Sequence, residues 1–475
     1  MPEISIPCKL VVGRNEIDWF EIEGYRGFGE KVHIDLAKPN GKLGSGLTII
    51  AGPNNSGKST ISEGFQALAR RVTPSFKGLQ RNKNTNYKLL FKIKRMNGRV
   101  TELKTIESGG SETEWVETDE KSNSFLIYVL PSRRRFNPLL NRNSRHGNAD
   151  RAIHISNAEV HGTRGGEIDR FQERIFGWQR NIKRFNSDLK NILDTLPNWS
   201  IEEYPSGDYY LKFEYNGFIH TSDGLGDGLI NIYFIVDALY DSDIQQTIVI
   251  DEPELSLHPS LQKRVLKYLA EYAKDRQIVI TTHSPYFVNF DYLINGARLF
   301  RTVKENNLIK IYQLSSESIT SIKDYKNDLY NPHVLGLNAK EIFFLADNVI
   351  LVEGQDDIYC YEKMQNKLGM FLKGEFFGWG VGGANKMKPI SKILQDLGYK
   401  KVVGILDSDN KTQKIFNDMS EEFKDYKYFR IPTKDVIKKR GVEKTAICDK
   451  FGELKNEYID TMKKMFEEIN RIFEA

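Results

Sequence analysis

Five carboxylates in this 475-residue chain fall into two short groups, Glu353-Gly-Gln-Asp356-Asp357 and Asp407-Ser-Asp409. Like-charged carboxylates rarely gather without a cation, and hard divalent ions such as Mg²⁺ take several oxygen ligands. Glu353, Asp357, Asp407 and Asp409 are therefore the candidate metal ligands, with Asp356 as the neighbouring alternative to Asp357. A second constellation is Gly52-Pro-Asn54-Asn55-Ser56-Gly57-Lys58-Ser59-Thr60, the full G-x-x-x-x-G-K-[ST] pattern. Residues 54–60 of such a loop cradle nucleotide phosphates with backbone N–H groups. Lys58 is expected to reach the β- and γ-phosphates and the Ser59 hydroxyl to ligate Mg²⁺. Asp251-Glu252 adds one acid suited to hold Mg²⁺ through water and another to orient and deprotonate the attacking water. His283 is expected to point towards the γ-phosphate.

Strands must deliver these groups. The apolar runs Leu47–Ile50, Thr247–Ile250, Gln277–Thr282, Val349–Val352 and Val402–Leu406 each end where a candidate begins, and continuous apolar runs are the mark of buried parallel strands. In open α/β sheets ligands bind at the carboxyl edge of such strands. Tyr87–Arg95 and Arg99–Glu107 alternate around Asn97-Gly98 and predict a hairpin, a β-rich insertion in the nucleotide-binding lobe. Phe125–Leu130 predicts a further strand; the Arg133, Arg134, Arg135, Arg142 and Arg145 that follow make a basic loop, either a phosphate contact or a solvated surface. Ile168, Phe171, Ile175, Trp178, Ile182, Phe185, Leu189, Ile192 and Leu196 step by three and four, which predicts a helical arm over 164–198. The arm suits dimerisation or packing on its own lobe. Arg298–Tyr312 predicts a hairpin around Asn306-Asn307, Ser315–Tyr330 a polar linker, and Val334–Ala346 a helix. After about residue 336, strands and helices alternate as in a parallel sheet, and the tail carries an apolar face on Ile459, Met462, Phe466, Ile469 and Phe473.

A composition of 40% hydrophobic and 28% charged residues is globular, and a net charge of +4 does not by itself announce a nucleic-acid binder. Cys8, Cys360 and Cys448 lack ligand-like spacing, which argues against zinc and for a reducing, cytoplasmic setting. The N-terminus has no signal pattern, and no apolar run reaches the roughly 18 residues of a membrane span.

Glu353-Gly354 after a hydrophobic strand, then Asp407-x-Asp409, resembles the Toprim domain. The segment 221–228, with Gly226 and Gly228, resembles the signature loop of ABC-type ATPases, which binds the γ-phosphate held by another subunit, although Gly226 stands where serine is common. With the phosphate loop, Asp251-Glu252 and His283 in order, and Glu254 to His258 where related ATPases place subunit contacts, the first part resembles SMC- and RecF-type heads. The whole resembles the OLD (overcoming lysogenization defect) family, which includes Gabija-type anti-phage effectors. The resemblance implies an α/β fold: an ABC/SMC-head-like P-loop ATPase domain with β-rich and helical insertions over 1–335, then a Toprim domain with a C-terminal helix over 336–475. It implies ATP and Mg²⁺ as cofactors, with Mn²⁺ possible at the Toprim site, and metal-dependent DNA cleavage. Glu353, Asp407 and Asp409 would be catalytic there, and Glu252 and His283 in ATP hydrolysis. Implied partners are DNA, a second copy or more, and a co-encoded defence protein, without a membrane. Family nucleases also use a lysine and further acids near the C-terminus; Lys434, Glu443 and Lys444 are the candidates in a short end. The alternative is an ATPase sensor or scaffold whose Toprim domain binds nucleic acid or a protein without cutting. A topoisomerase or primase is disfavoured, since no zinc-type cysteine pairs and no tyrosine-nucleophile domain are recognisable.

Overall fold

The structure is a computed structural model that describes residues 15–69, 73–106, 111–117, 127–132, 171–326 (apart from 194, 197, 204, 206–208, 216 and 222–225), 347–437 and 445–474. The chain divides into two compact units, 1–287 with 291–311, and 288–290 with 312–475. The expected junction at 335/336, the 334–346 helix, the arginine loop beyond 132, Glu443 and Lys444 lie outside the described residues.

In the first unit the sheet that carries the chemistry contains β3 (Leu47–Ala51), β7 (Ile127–Leu130), β11 (Thr247–Asp251), β12 (Gln277–Thr282), β13 (Arg298–Glu305) and β14 (Leu308–Gln313), in the order β14-β13-β3-β12-β11-β7. β3, β11 and β12 are buried at every position. Their parallel register sets Asp251 opposite Thr281, and Thr282 opposite Ala51, so the phosphate loop and Asp251-Glu252 leave the same edge. The left-handed Asn306 (φ 48°) and Asn307 (φ 65°) close the β13–β14 hairpin, as their type suggests. A second, antiparallel sheet of β1 (Ile17–Glu23), β2 (Val32–Asp35), β4 (Leu90–Arg95), β5 (Val100–Thr105) and β6 (Thr113–Glu117) contains the Asn97-Gly98 hairpin.

The 164–198 arm is not one heptad helix over its described residues. It is α2 (Phe171–Arg180) and α3 (Ile182–Lys190), broken at Asn181 (φ −114°, ψ 34°). Trp178 and Phe185 stack with ring centroids 4.4 Å apart, and Trp178 Nε1 donates to Asp237 of α4 (Asp227–Tyr240) at 2.7 Å. The flat aromatic knobs find a three-sided cage of Trp199, Tyr233 and Tyr240 within the same unit, which suits them better than a narrow coiled-coil seam.

In the second unit β15 (Asn348–Leu351), β16 (Glu375–Phe376), β17 (Lys401–Leu406) and β18 (Lys427–Arg430) form a parallel sheet in the order β16-β15-β17-β18. Val403 and Ile405 share one core with Tyr361, Phe466, Ile469 and Phe473 of the flanking helices. The polar stretch expected as a linker instead contains α7 (Ser316–Lys326). Its Ser318 and Ile322 are buried, and the Ser318 hydroxyl donates to Asp396 at 2.6 Å.

Truncating Trp178 removes a fully buried indole and its hydrogen bond to Asp237. Trp178→Ala is expected to destabilise the first unit by about 3–5 kcal/mol, read as a lower denaturant midpoint with the second unit's transition unmoved. A midpoint equal to wild type would restore the solvent-facing arm.

Candidate functional site

The loop between β3 and α1 (Lys58–Leu68) is wound by left-handed Asn55 (φ 62°) and Gly57 (φ 90°). The φ of 90° at Gly57 is one that L side chains rarely adopt, and a Cβ there would also press on the Ile309 side chain at 2.2 Å, so glycine suits the position. Lys58 Nζ folds back to donate to the carbonyls of Gly52 and Pro53, each at 2.8 Å. Ser56 shares a 2.6 Å hydrogen bond with the Thr302 hydroxyl; Asn54 and Asn55 are exposed, Ser59 half-buried and Thr60 buried. On the same edge the Thr281 hydroxyl donates to Asp251. Glu252 has φ 51°, a conformation that costs a non-glycine residue about 1–3 kcal/mol. Its N–H donates to Thr281 O at 3.0 Å, and its carboxylate lies 3.5 Å from His283 Nε2. Gly226 caps α4 in open surroundings, whereas Gly228 is needed for packing, since a Cβ would sit 2.5 Å from Ser256 O.

The second site forms where the order of the β16-β15-β17-β18 sheet reverses, between β15 and β17, the place such sheets bind ligands. The Asp407 N–H donates to Glu353 Oε1 at 3.0 Å, which joins the two acidic groups. Asp409 Oδ1 accepts from Thr412 N at 2.9 Å. Asp357 turns back to accept from Gly354 N at 2.8 Å and caps α8 (Gln355–Leu368), while Asp356 is exposed. Gly382 and Gly383 N–H groups donate to Glu353 O at 2.9 and 2.8 Å, and a Cβ on Gly380 would lie 2.7 Å from Gly354 Cα. Burial pushes the Glu353 carboxyl up; the Asp407 amide opposes this, and Asp409 and Asp435 add repulsion. Among the described residues no three acidic, cysteine or histidine side chains converge closely enough to hold an ion as they stand. The donors are nonetheless all oxygen and like-charged, the chemistry of a hard cation.

Residues 344–409, which include all four expected ligands, match the family described as "Overcoming lysogenization defect protein-like, TOPRIM domain". Residues 73–289 match "AAA domain, putative AbiEii toxin, Type IV TA system", a span that contains Asp251, Glu252 and His283 and begins after Lys58. The chain joins an AAA-type ATPase domain to an OLD-like TOPRIM domain. It is 30% identical over 124 residues to the OLD nuclease of Thermus scotoductus, covering 26% of this chain and 23% of that protein. It is 26% identical over 257 residues to Endonuclease GajA of Bacillus cereus, covering 52% and 41%. The matches thus span less than half the length of these relatives. Among solved structures, the SMC head bound to the C-winged helix domain of ScpA aligns with TM-score 0.43 at 14% identity over 64% of this chain and 99% of that one. The SMC head domain from Thermotoga maritima aligns with TM-score 0.37 at 13% identity over 63% and 99%.

The structure adds three residues to these sites. In the ATPase domain, Glu254 accepts the His283 N–H at 2.5 Å and so seats the histidine beside Glu252; burial pushes its carboxyl up. In the TOPRIM domain, buried Asp435 on β19 (Asp435–Ile437) lies near enough to raise Glu353. Trp379 is half-exposed on the glycine loop that binds Glu353 O. Lys434 is exposed. No helix among the described residues is long and apolar enough to cross a membrane.

Burial pulls the Lys58 ammonium down to about 8, against the pull of Glu252, Asp251 and Glu254. Phosphate would raise it again, so nucleotide binding above that pH takes up a proton. Nucleotide affinity is expected to hold below pH 8 and then to fall, by at most about tenfold per pH unit, as the free lysine loses its charge. Calorimetry in buffers of different ionisation heat reads the proton uptake; an affinity flat from neutrality through alkaline pH would contradict it.

Proposed function

We propose that the chain is an ATP-binding and ATP-hydrolysing, metal-dependent DNA endonuclease. The observation that carries this reading is the Glu353–Asp407 junction at the switch point of the TOPRIM sheet, with Asp409 and Asp435 close enough to repel its charge. Glu353, Asp407 and Asp409 would hold divalent cations, Mg²⁺ or Mn²⁺, with Asp357 joining if it leaves its cap. Such ions supply an activated water and stabilise the leaving oxygen of a phosphodiester. The chain's own part is to hold the acids: the Asp407 amide fixes Glu353, the Thr412 amide fixes Asp409, and the glycine loop leaves the edge open to a strand.

In the ATPase domain Lys58 and residues 54–60 would bind the phosphates, Ser59 and Asp251 the Mg²⁺, and Glu252 with His283 would prepare the attacking water. Gly226 and Gly228 at the start of α4 would face the nucleotide of a second copy, which makes a homodimer or larger assembly part of the proposal. A cytoplasmic role in anti-phage defence, with a co-encoded partner, follows the family resemblance. The alternative, a non-cutting sensor, draws support from Asp357 and Asp409 each capping a helix rather than facing a common point.

Supercoiled plasmid with Mg²⁺ or Mn²⁺, with and without ATP, tests the reading. Wild type is expected to nick or linearise it. Asp407→Ala should lose at least about 100-fold, the loss of an interaction worth some 2.7 kcal/mol in the transition state, and Lys58→Ala should lose the response to ATP. Wild-type ATP hydrolysis and DNA binding without cleavage in either metal would favour the sensor.

A further inference from the structure

The charge of this chain is unevenly spread. Residues 64–101 contain ten Lys and Arg and not one Asp or Glu, in a chain whose net charge is +4. Arg70 and Arg71 lie outside the described residues; the rest fall on the loop from Phe76 to Lys88 and on β4 and its turn. On the sheet itself the cations meet acids: Lys92 pairs with Glu102 at 3.2 Å, and neighbouring Lys104 with Glu114 at 3.6 Å. On the loop they do not. Lys77, Lys83 and Lys88 are all exposed, and among the described residues no carboxylate pairs with them.

The loop is nevertheless built, not loose. Phe76 is buried edge-on to Tyr25 and Phe91 at 5.4 and 5.8 Å. Arg26 N donates to Gln80 O at 2.7 Å, Asn82 N to Gly24 O at 2.7 Å, and Asn82 Nδ2 to Arg26 O at 2.6 Å. Asn86 (φ 50°) and Tyr87 (φ 61°) are both left-handed, held by Tyr87 N to Asn82 O at 3.1 Å. For a tyrosine that is strain, and strain persists where the surroundings over-determine it, often at binding sites. A shallow cavity of about 550 Å³ opens between Lys77, Gly78, Leu79, Arg81, Lys83 and Tyr87. Leu79 is fully exposed at its rim.

We infer that this loop of the ATPase domain is a docking surface for the phosphate backbone of duplex DNA, separate from the TOPRIM carboxylates. Uncompensated lysines on a rigid frame bind a polyanion by releasing its counterions and lose little entropy in doing so. Leu79 and the Tyr87 ring supply apolar contact of the kind that meets deoxyribose between phosphates. The cavity is too open to enclose a mononucleotide and carries no acid to reject a strand. The inference rests on the proposed nuclease reading for its ligand, and places on the ATPase domain the sequence-independent hold that a cutting site needs.

The test uses the full chain and a fluorescent DNA duplex in EDTA, where binding proceeds without cleavage, with affinity measured across a salt series. Lys77→Ala, Lys83→Ala and Lys88→Ala combined should flatten the log–log salt slope by about 2–3, near 0.9 for each phosphate left without its lysine, and weaken low-salt binding at least tenfold. DNA-independent ATP hydrolysis and the unfolding midpoint should stay at wild-type values, which separates impaired docking from impaired folding. An unchanged slope and affinity in the triple variant overturns the docking surface while leaving the nuclease reading to the plasmid assay. Loss of heparin binding alone, with duplex binding intact, also overturns it and marks the loop as a site for another polyanion. If plasmid is never cut but the triple variant loses duplex binding, the surface stands and the nuclease reading falls.

Discussion

Both sites depend on one constraint: a strand buried on both faces can present polar chemistry only where it ends. β3, β11 and β12 admit no exposed position, so the residues that follow them, the phosphate loop after Ala51, Glu252 after Asp251 and His283 after Thr282, are the first places where these strands can meet a ligand. β15 and β17 repeat the arrangement with Glu353 and Asp407. The parallel direction is what puts the ends together, because an antiparallel partner would send alternate ends to opposite edges. Chemistry at these edges is therefore a consequence of how the sheets are wound.

Bringing strand ends together also brings backbone close to backbone, and glycine settles whether that is possible. Gly380 lies so near Gly354 that any Cβ would collide with main chain, and the amides of Gly382 and Gly383 then reach the Glu353 carbonyl. Gly228 stands against the Ser256 carbonyl in the same way, whereas Gly57 meets only the side chain of Ile309 and is called for by its left-handed φ of 90°. The glycines of this chain thus divide into those that wind a loop and those that allow an approach. Gly228 belongs to the second kind in this chain, whatever it does for a nucleotide.

Much of this is legible in the sequence. The apolar runs announce the strands because parallel burial leaves no alternation to confuse them, and the phosphate-loop spacing names its own context. The 164–198 segment is not legible, because steps of three and four describe any helix with one wet face. Only the three-dimensional cage around Trp178 distinguishes an arm from a plug. α7 escapes a sequence reading because its polar residues are satisfied by a distant carboxylate, Asp396, which local composition does not reveal. Asp435 escapes it for a related reason, since it comes near Glu353 through tertiary folding with no motif spacing to mark it, and Glu254 is marked in sequence only as a subunit-contact position, not as the acceptor that seats His283.

The charged groups at the two sites are held in opposite senses. Lys58 donates its protons to the Gly52 and Pro53 carbonyls, neutral acceptors that only partly replace water, and its ammonium is correspondingly easy to lose. Glu353 receives an amide, yet burial and the nearby Asp409 and Asp435 still outweigh it, so its carboxyl holds its proton more tightly than a free one. A polyphosphate would relieve the first and a cation the second, because each supplies the charge that the fold has withheld. Asp357 and Asp409 mark the limit of that readiness. Their oxygens satisfy helix N-termini, and a cation that recruits them must replace those hydrogen bonds as well as the water. Among the described residues the TOPRIM edge is thus electrostatically suited to a cation while its acids do not yet converge on one point.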